Sequence, residues 1–110
     1  MINLVNQIVA ETKCEVVLSS VWRYDGLNTV QGLLDINGAS FKLSDETPKL
    51  HKTRGEEIRA WMELHGVSDN DIVILDDGAD MGDLMPRLVK TTWQCGLQKE
   101  HANKVIEMLK

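Results

Sequence analysis

The stretch Asp71-Ile-Val-Ile-Leu-Asp-Asp-Gly-Ala-Asp-Met81 constrains this chain more than any other, because four apolar residues run straight into two adjacent carboxylates. Ile72 to Leu75 is too short a run for a helix and suits a strand buried on both faces, as parallel strands usually are. Asp76 and Asp77 then stand at its carboxyl end. In open α/β sheets that edge gathers ligands between strand ends and helix amino termini. Six carboxylates and no Lys or Arg lie between Asp69 and Asp83, so the edge repels itself unless water, a neighbouring cation or a metal compensates. Asp69, Asp71 and Asp83 read as the solvating charges of an acidic loop. The pair Asp76 and Asp77 reads as a hard-cation site of the Mg²⁺ kind.

A chain of 110 residues points to one domain, large enough for a core but near the lower limit for a layered α/β fold. A net charge of -5 argues against broad electrostatic contact with nucleic acid, while leaving room for a local basic patch. No apolar run approaches the ~20 residues of a membrane span, and no signal-peptide pattern precedes the first helix, so the expected location is cytoplasmic. Cys14 and Cys95 lack metal-ligand spacing and read as reduced thiols. His51, His65 and His101 are scattered, so no Cys/His zinc site can be assembled from them.

Elsewhere the periodicity alternates between helix and strand. Residues 2 to 12 place Val5, Ile8, Val9 and Thr12 on one helical face. Val16-Val17-Leu18 is a second short strand, tipped by Ser19-Ser20 and followed by Val21-Trp22-Arg23. Hydroxyls and a guanidinium in that order can grip a phosphate, since both donate to its oxygens; a Ser at a strand end also serves as a helix cap or turn residue. Gly26 to Asn37 predicts a helix with Leu27, Val30, Leu33 and Leu34 inward. Ala39 to Leu43 is expected to form a short strand, and Ser44 to Lys52 a loop. Gly55 to His65 predicts a helix stopped by Gly66, with Trp61 in or near the core. Arg54 stands at its start, where the helix dipole disfavours a cation, and a phosphate is one group it could serve. Met81 to Leu88, interrupted by Gly82 and Pro86, predicts short helical turns. A last strand over Leu88 to Thr91 and an amphipathic helix over Gln98 to Lys110 close the chain.

Taken in order, Val-Val-Leu-Ser-Ser-Val-Trp-Arg (16 to 23), Arg-Gly-Glu-Glu-Ile-Arg-Ala-Trp (54 to 61) and Ile-Val-Ile-Leu-Asp-Asp (72 to 77) with Asp80-Met81 resemble the haloacid dehalogenase (HAD) superfamily. They look most like the small HAD domains of nucleic-acid repair proteins and the phosphatase half of polynucleotide kinases. Leu88-Val89-Lys90-Thr91, Gly96-Leu97 and Glu100-His101-Ala102 are also similar. The resemblance covers essentially the whole chain. It implies a three-layer, Rossmann-like α/β sandwich with a mainly parallel sheet. It also implies a site in which Ser19, or Ser20 beside it, hydrogen-bonds a phosphoryl group, Arg54 neutralises it, Arg23 adds a second grip, and Asp76 and Asp77 hold Mg²⁺.

One departure bears on activity. Such enzymes open with a strand ending Asp-x-Asp, which carries the nucleophile and the general acid/base. No apolar strand ending that way precedes Val16, and Met1 opens the helix that would follow it. Asp77-Gly-Ala-Asp80 has the wrong spacing, and Asp25, Asp35 and Asp45 do not follow apolar strands. In the family that first strand is central, between the strands ending at Ser19 and Asp76. Without it, unpaired interior backbone groups would cost about 1 to 3 kcal/mol each. The expected repair is direct pairing of the two flanking strands, with dimerisation; the alternatives are strands from a second copy or from a separate polypeptide. The expected function is a non-catalytic or regulatory phosphate-binding HAD-like protein, its ligand a phosphorylated small molecule or a nucleic-acid end. The alternatives are a Mg²⁺-dependent phosphatase completed by another chain's Asp-x-Asp strand, and an interaction protein that reuses the fold without a ligand.

Overall fold

The computed structural model describes residues 2–19, 26–50, 52–92 and 96–109. The order along the chain is α1 (Ile2–Thr12), β1 (Val16–Leu18), α2 (Leu27–Ile36), β2 (Leu43–Glu46), α3 (Arg54–His65), β3 (Ile74–Asp76), β4 (Leu88–Lys90) and α4 (Lys99–Leu109). Two 3-10 segments, Asp69–Asp71 and Gly82–Arg87, flank β3 on either side in sequence. The stretch expected to form short helical turns is a single 3-10 segment that opens at Gly82, in a positive-φ conformation, and contains Pro86.

The second strand pair shows why the apolar run forms a strand. β3 and β4 are parallel, with Ile74 opposite Leu88, Leu75 opposite Val89 and Asp76 opposite Lys90. Successive strand residues face opposite sides. Val73, Leu75 and Val89 therefore pack with Ile8 of α1 and Ala102, Val105 and Ile106 of α4. Ile72, Ile74 and Leu88 pack on the other side with Ile58 and Met62 of α3, Met81 and Leu84. Both faces are covered, so the run has no polar alternation. Met62, Met81 and Leu84 are almost wholly buried.

The first strand pair is different. β1 and β2 run parallel, Val16 opposite Leu43 and Leu18 opposite Glu46, with an irregularity after Val16. No β1 residue is fully buried. Strand β2 covers Leu43–Glu46 rather than Ala39 to Leu43, so part of the expected loop is strand. Its polar residues are held by tertiary partners: Asp45 Oδ2 accepts the Trp61 indole N–H at 2.9 Å, and the Leu43 amide donates to Gln31 Oε1 at 2.6 Å. Leu33, expected inward, is about half exposed, while Val30 is the buried residue of α2.

The two pairs form separate two-stranded sheets. The mixed helix and strand composition and parallel pairing agree with an α/β class, but the expected direct ladder between β1 and β3 does not form, and no continuous sheet supports a three-layer sandwich among the described residues. Helix α3 joins the halves instead. Trp61 reaches β2, Glu57 Oε2 accepts the Leu50 amide at 2.8 Å, and Ile58 and Met62 enter the core beneath β3. No helix among the described residues is long and apolar enough to cross a membrane.

Candidate phosphate and metal site

The amino end of α3 is built to sit on the loop after β3. Thr53 caps it: its Oγ1 accepts the Glu56 amide at 3.3 Å and donates to Glu56 Oε1 at 3.1 Å, a Thr-x-x-Glu arrangement that satisfies helix-start donors. The next two amides go to the loop. The Arg54 N–H donates to Asp80 Oδ2 at 3.2 Å, and the Gly55 N–H donates to the Asp80 carbonyl at 2.9 Å. Gly55 is required at this approach, because a Cβ there would overlap the backbone of Met81.

That docking brings the Arg54 guanidinium onto Asp76, Nη1 to Oδ2. The ion pair is shielded, with 23% of the Arg54 side chain and 7% of the Asp76 side chain accessible. The other carboxylate oxygen, Oδ1, accepts the Gly78 amide at 2.9 Å. Burial pushes the Asp76 carboxyl up, but the Gly78 amide and the Arg54 guanidinium outweigh it and hold the group below its ordinary value. Asp77 is exposed beside it and interacts with the Asp76 side chain.

Farther along α3, Arg59 pairs with Asp69, with Nη2 at 3.1 Å from its Oδ2, and with Asp83 Oδ2 at 3.2 Å. The hydrogen bonds from Asp69 and Asp83 raise the guanidinium's already high pKa. Arg87 donates from Nε to the Ile72 carbonyl at 2.8 Å. The self-repulsion of the acidic segment is therefore offset largely by arginines from outside it. Asp69 and Asp83, expected only to solvate a loop, are paired as well as exposed.

Of the sequence-predicted residues, Arg54, Asp76 and Asp77 come together. Ser19 directly follows β1 and is half-buried, on the first strand pair. Ser20 and Arg23 lie outside the described residues, as do Cys95 and His51. Cys14 is a free thiol. Gly55 and Gly78 were not legible as site residues, although a Gly directly after an Arg at a helix start is the signal that marks the close approach. The chain's only Asp-x-Asp, Asp69-Asn70-Asp71, forms the 3-10 turn before β3. It stands at the opposite end of that strand from Asp76. A shallow cavity of about 290 Å³ runs along α3 between Lys52, Arg59, Glu63 and Asp83; its mixed charges give it no preference for an anion.

Residues 1–102 match the profile of a family described as the HAD domain in Swiss Army Knife RNA repair proteins. The chain belongs to this family. No curated protein and no solved structure matches it. HAD domains are generally Mg²⁺-dependent, which makes the donors of this HAD domain worth testing against that ion. No group of three or more His, Cys, Asp or Glu side chains is arranged for a metal among the described residues. The donors at the end of β3 are nevertheless carboxylate oxygens, and Mg²⁺ is commonly held by one or two carboxylates with phosphate and water completing its shell. Asp76 and Asp77 fit the ion in chemistry, with Asp76 already engaged by Arg54 and Gly78.

Proposed function

We propose that this HAD domain binds the phosphate of a phosphorylated small molecule or a nucleic-acid end, without turning it over on its own. The observation that carries the reading is the meeting of Arg54 with Asp76. It joins a phosphate-neutralising cation to a strand-end carboxylate at the start of α3, where the first two helix amides are already held by Asp80. In this reading Arg54 faces the phosphate, Ser19 and Ser20 donate hydroxyl hydrogen bonds to it, and Arg23 adds a second charge-assisted contact. Asp76 and Asp77 would hold Mg²⁺, which when bound supplies charge neutralisation of the phosphate oxygens. In this reading Asp69-Asn70-Asp71 does not serve as the nucleophile motif, since it stands at the opposite end of β3 from Asp76. The family's description as part of RNA repair proteins supports an RNA terminus as the ligand.

The test is paired. Calorimetry with a 3′-phosphorylated oligoribonucleotide and its unphosphorylated counterpart should show binding only to the former. Incubation of the same oligonucleotide with protein and Mg²⁺ should release no phosphate. Mg²⁺-dependent release that is abolished by Asp77→Asn would overturn the non-catalytic reading.

A second reading is favoured by the strand topology: a phosphatase completed by another chain. Among the described residues β1 and β3 belong to different sheets, each with a single ladder partner, so an added parallel strand would have two edges to pair with. Co-expression with a polypeptide carrying an apolar strand ending Asp-x-Asp should then give a stable complex with phosphatase activity. Separate, inactive products would remove this reading.

A further inference from the structure

We propose that Arg54 is an internal counter-cation for Asp76, and that anion and Mg²⁺ binding at this corner are therefore positively coupled. The inference rests on the phosphate-binding reading above and adds the order in which the site fills. Both oxygens of Asp76 are engaged, Oδ2 by Arg54 and Oδ1 by the Gly78 amide. A divalent cation arriving alone meets a carboxylate whose charge is already compensated, beside a guanidinium that repels it. The backbone of Arg54 cannot move aside cheaply. Its own amide is held by Asp80 Oδ2, the next amide by the Asp80 carbonyl, and Gly55 is seated on Met81. Only the side chain is free to swing.

A phosphate beside Arg54 offers the guanidinium a second anion, and one with geometry suited to a paired N–H contact. As Arg54 turns to it, Asp76 Oδ2 is released, and the corner regains the negative charge that attracts a cation. Phosphate and Mg²⁺ thus favour the same side-chain position, whereas Mg²⁺ and Arg54 compete in the absence of phosphate. By linkage the effect is reciprocal: each ligand raises the affinity for the other by one common factor, on the order of 5- to 150-fold for couplings of this kind.

Calorimetric titrations of the full chain with Mg²⁺ alone, inorganic phosphate alone, and each in the presence of the other measure the factor directly. The expected result is a gain of at least fivefold in Mg²⁺ affinity when phosphate is present. Arg54→Met should raise Mg²⁺ affinity measured without phosphate and reduce the coupling to near unity. Coupling by simple bridging of phosphate and Asp76 through Mg²⁺ predicts the reverse: it survives in Arg54→Met, and that outcome overturns the counter-cation role. Equal Mg²⁺ affinity with and without phosphate in the unsubstituted protein overturns the coupling while leaving phosphate binding intact. Absence of phosphate binding under every condition defeats the underlying reading as well. The Arg54 side-chain Nε–H resonance, assigned by its loss in Arg54→Lys, gives a readout that needs no stable Met variant. It should shift when phosphate is added, and an unmoved signal at saturating phosphate contradicts the swing.

Discussion

Arg54 and Arg59 lie on the same helix and pair with carboxylates of the same acidic segment, yet they sit in different dielectric surroundings. Arg59 spans Asp69 and Asp83, whose side chains are 49% and 79% accessible. Arg54 meets Asp76, of which 7% is accessible. Water and salt screen the first cluster, and a surface pair of this type contributes little to stability. The second cannot be screened in the same way, and either charge left alone there is costly. The residue types are the same in the two cases, and the two guanidiniums are similarly accessible. Burial of the partner carboxylate separates a solvated clamp from a site whose charges must be matched.

The anchoring of Arg54 is the most fragile part of that contrast. Gly55→Ala places a methyl group against the Met81 backbone, which cannot rotate away as a side chain could. Overpacking typically costs 1 to 3 kcal/mol, and a helical Gly→Ala gain of about 0.5 to 1 kcal/mol offsets part of it. Because the overlap is with backbone, the cost falls at the upper end of that range, and a net loss of about 2 kcal/mol is expected in urea unfolding, together with weaker phosphate binding as α3 lifts from the loop. A variant as stable as the parent would show that the close approach is not needed.

The contrast also marks how far the sequence could be read. The apolar run at Ile72 to Leu75 announced β3, because a strand covered by Ile58 and Met62 on one side and by Ala102 and Val105 on the other carries no polar positions. The helices were equally plain, since Ile58 and Met62 of α3, and Ala102, Val105 and Ile106 of α4, are buried at helical spacing. Strand β2 was hidden: Ser44, Asp45 and Glu46 have the composition of a loop, and the ladder to β1, with Trp61 and Gln31 holding Asp45 and the Leu43 amide, makes this segment a strand. The breadth of the sheet was hidden as well, because an apolar strand says nothing about which edge is paired. At the candidate site, the placement of Arg54 at a helix start and of Asp76–Asp77 at a strand end was legible. Their direct pairing was not, because it depends on Gly55 allowing α3 to approach Met81. The pairing of Asp69 and Asp83 by Arg59 was missed for a related reason, since the compensating cation comes from another element.

Asp76→Asn is expected to have the next largest effect, about 1.5 kcal/mol, below the 3 to 5 kcal/mol of a fully buried broken pair because Arg54 keeps some access to water. Its pH dependence sharpens the assignment. The folded-state pKa of Asp76 lies below the unfolded value of about 3.9, so its stabilising contribution is present above that pH and is lost as pH falls through the folded value. The difference in unfolding free energy between parent and Asp76→Asn should be constant near neutrality and shrink below about pH 4. The lowered carboxylates Asp35, Asp45 and Asp69 titrate in both proteins and cancel from the comparison. A difference unchanged down to pH 2 would mean that the loss comes from packing rather than charge.

Arg59→Met should have the smallest effect, and salt is the way to separate it from the shielded pair. Methionine keeps an apolar stem over the helix surface, so the change is mainly electrostatic. Its partners face water, and at about 1 M NaCl the screening length falls to about 3 Å, close to the contact distance itself. Any small difference between parent and Arg59→Met in urea unfolding should therefore vanish in high salt, while the deficit of Asp76→Asn persists. The two arginines would then be distinguished by a measurement that involves no ligand. If salt erased both deficits alike, the Arg54–Asp76 pair would be as solvated as the Arg59 cluster. Mg²⁺ could in that case reach Asp76 without waiting for phosphate to draw Arg54 away.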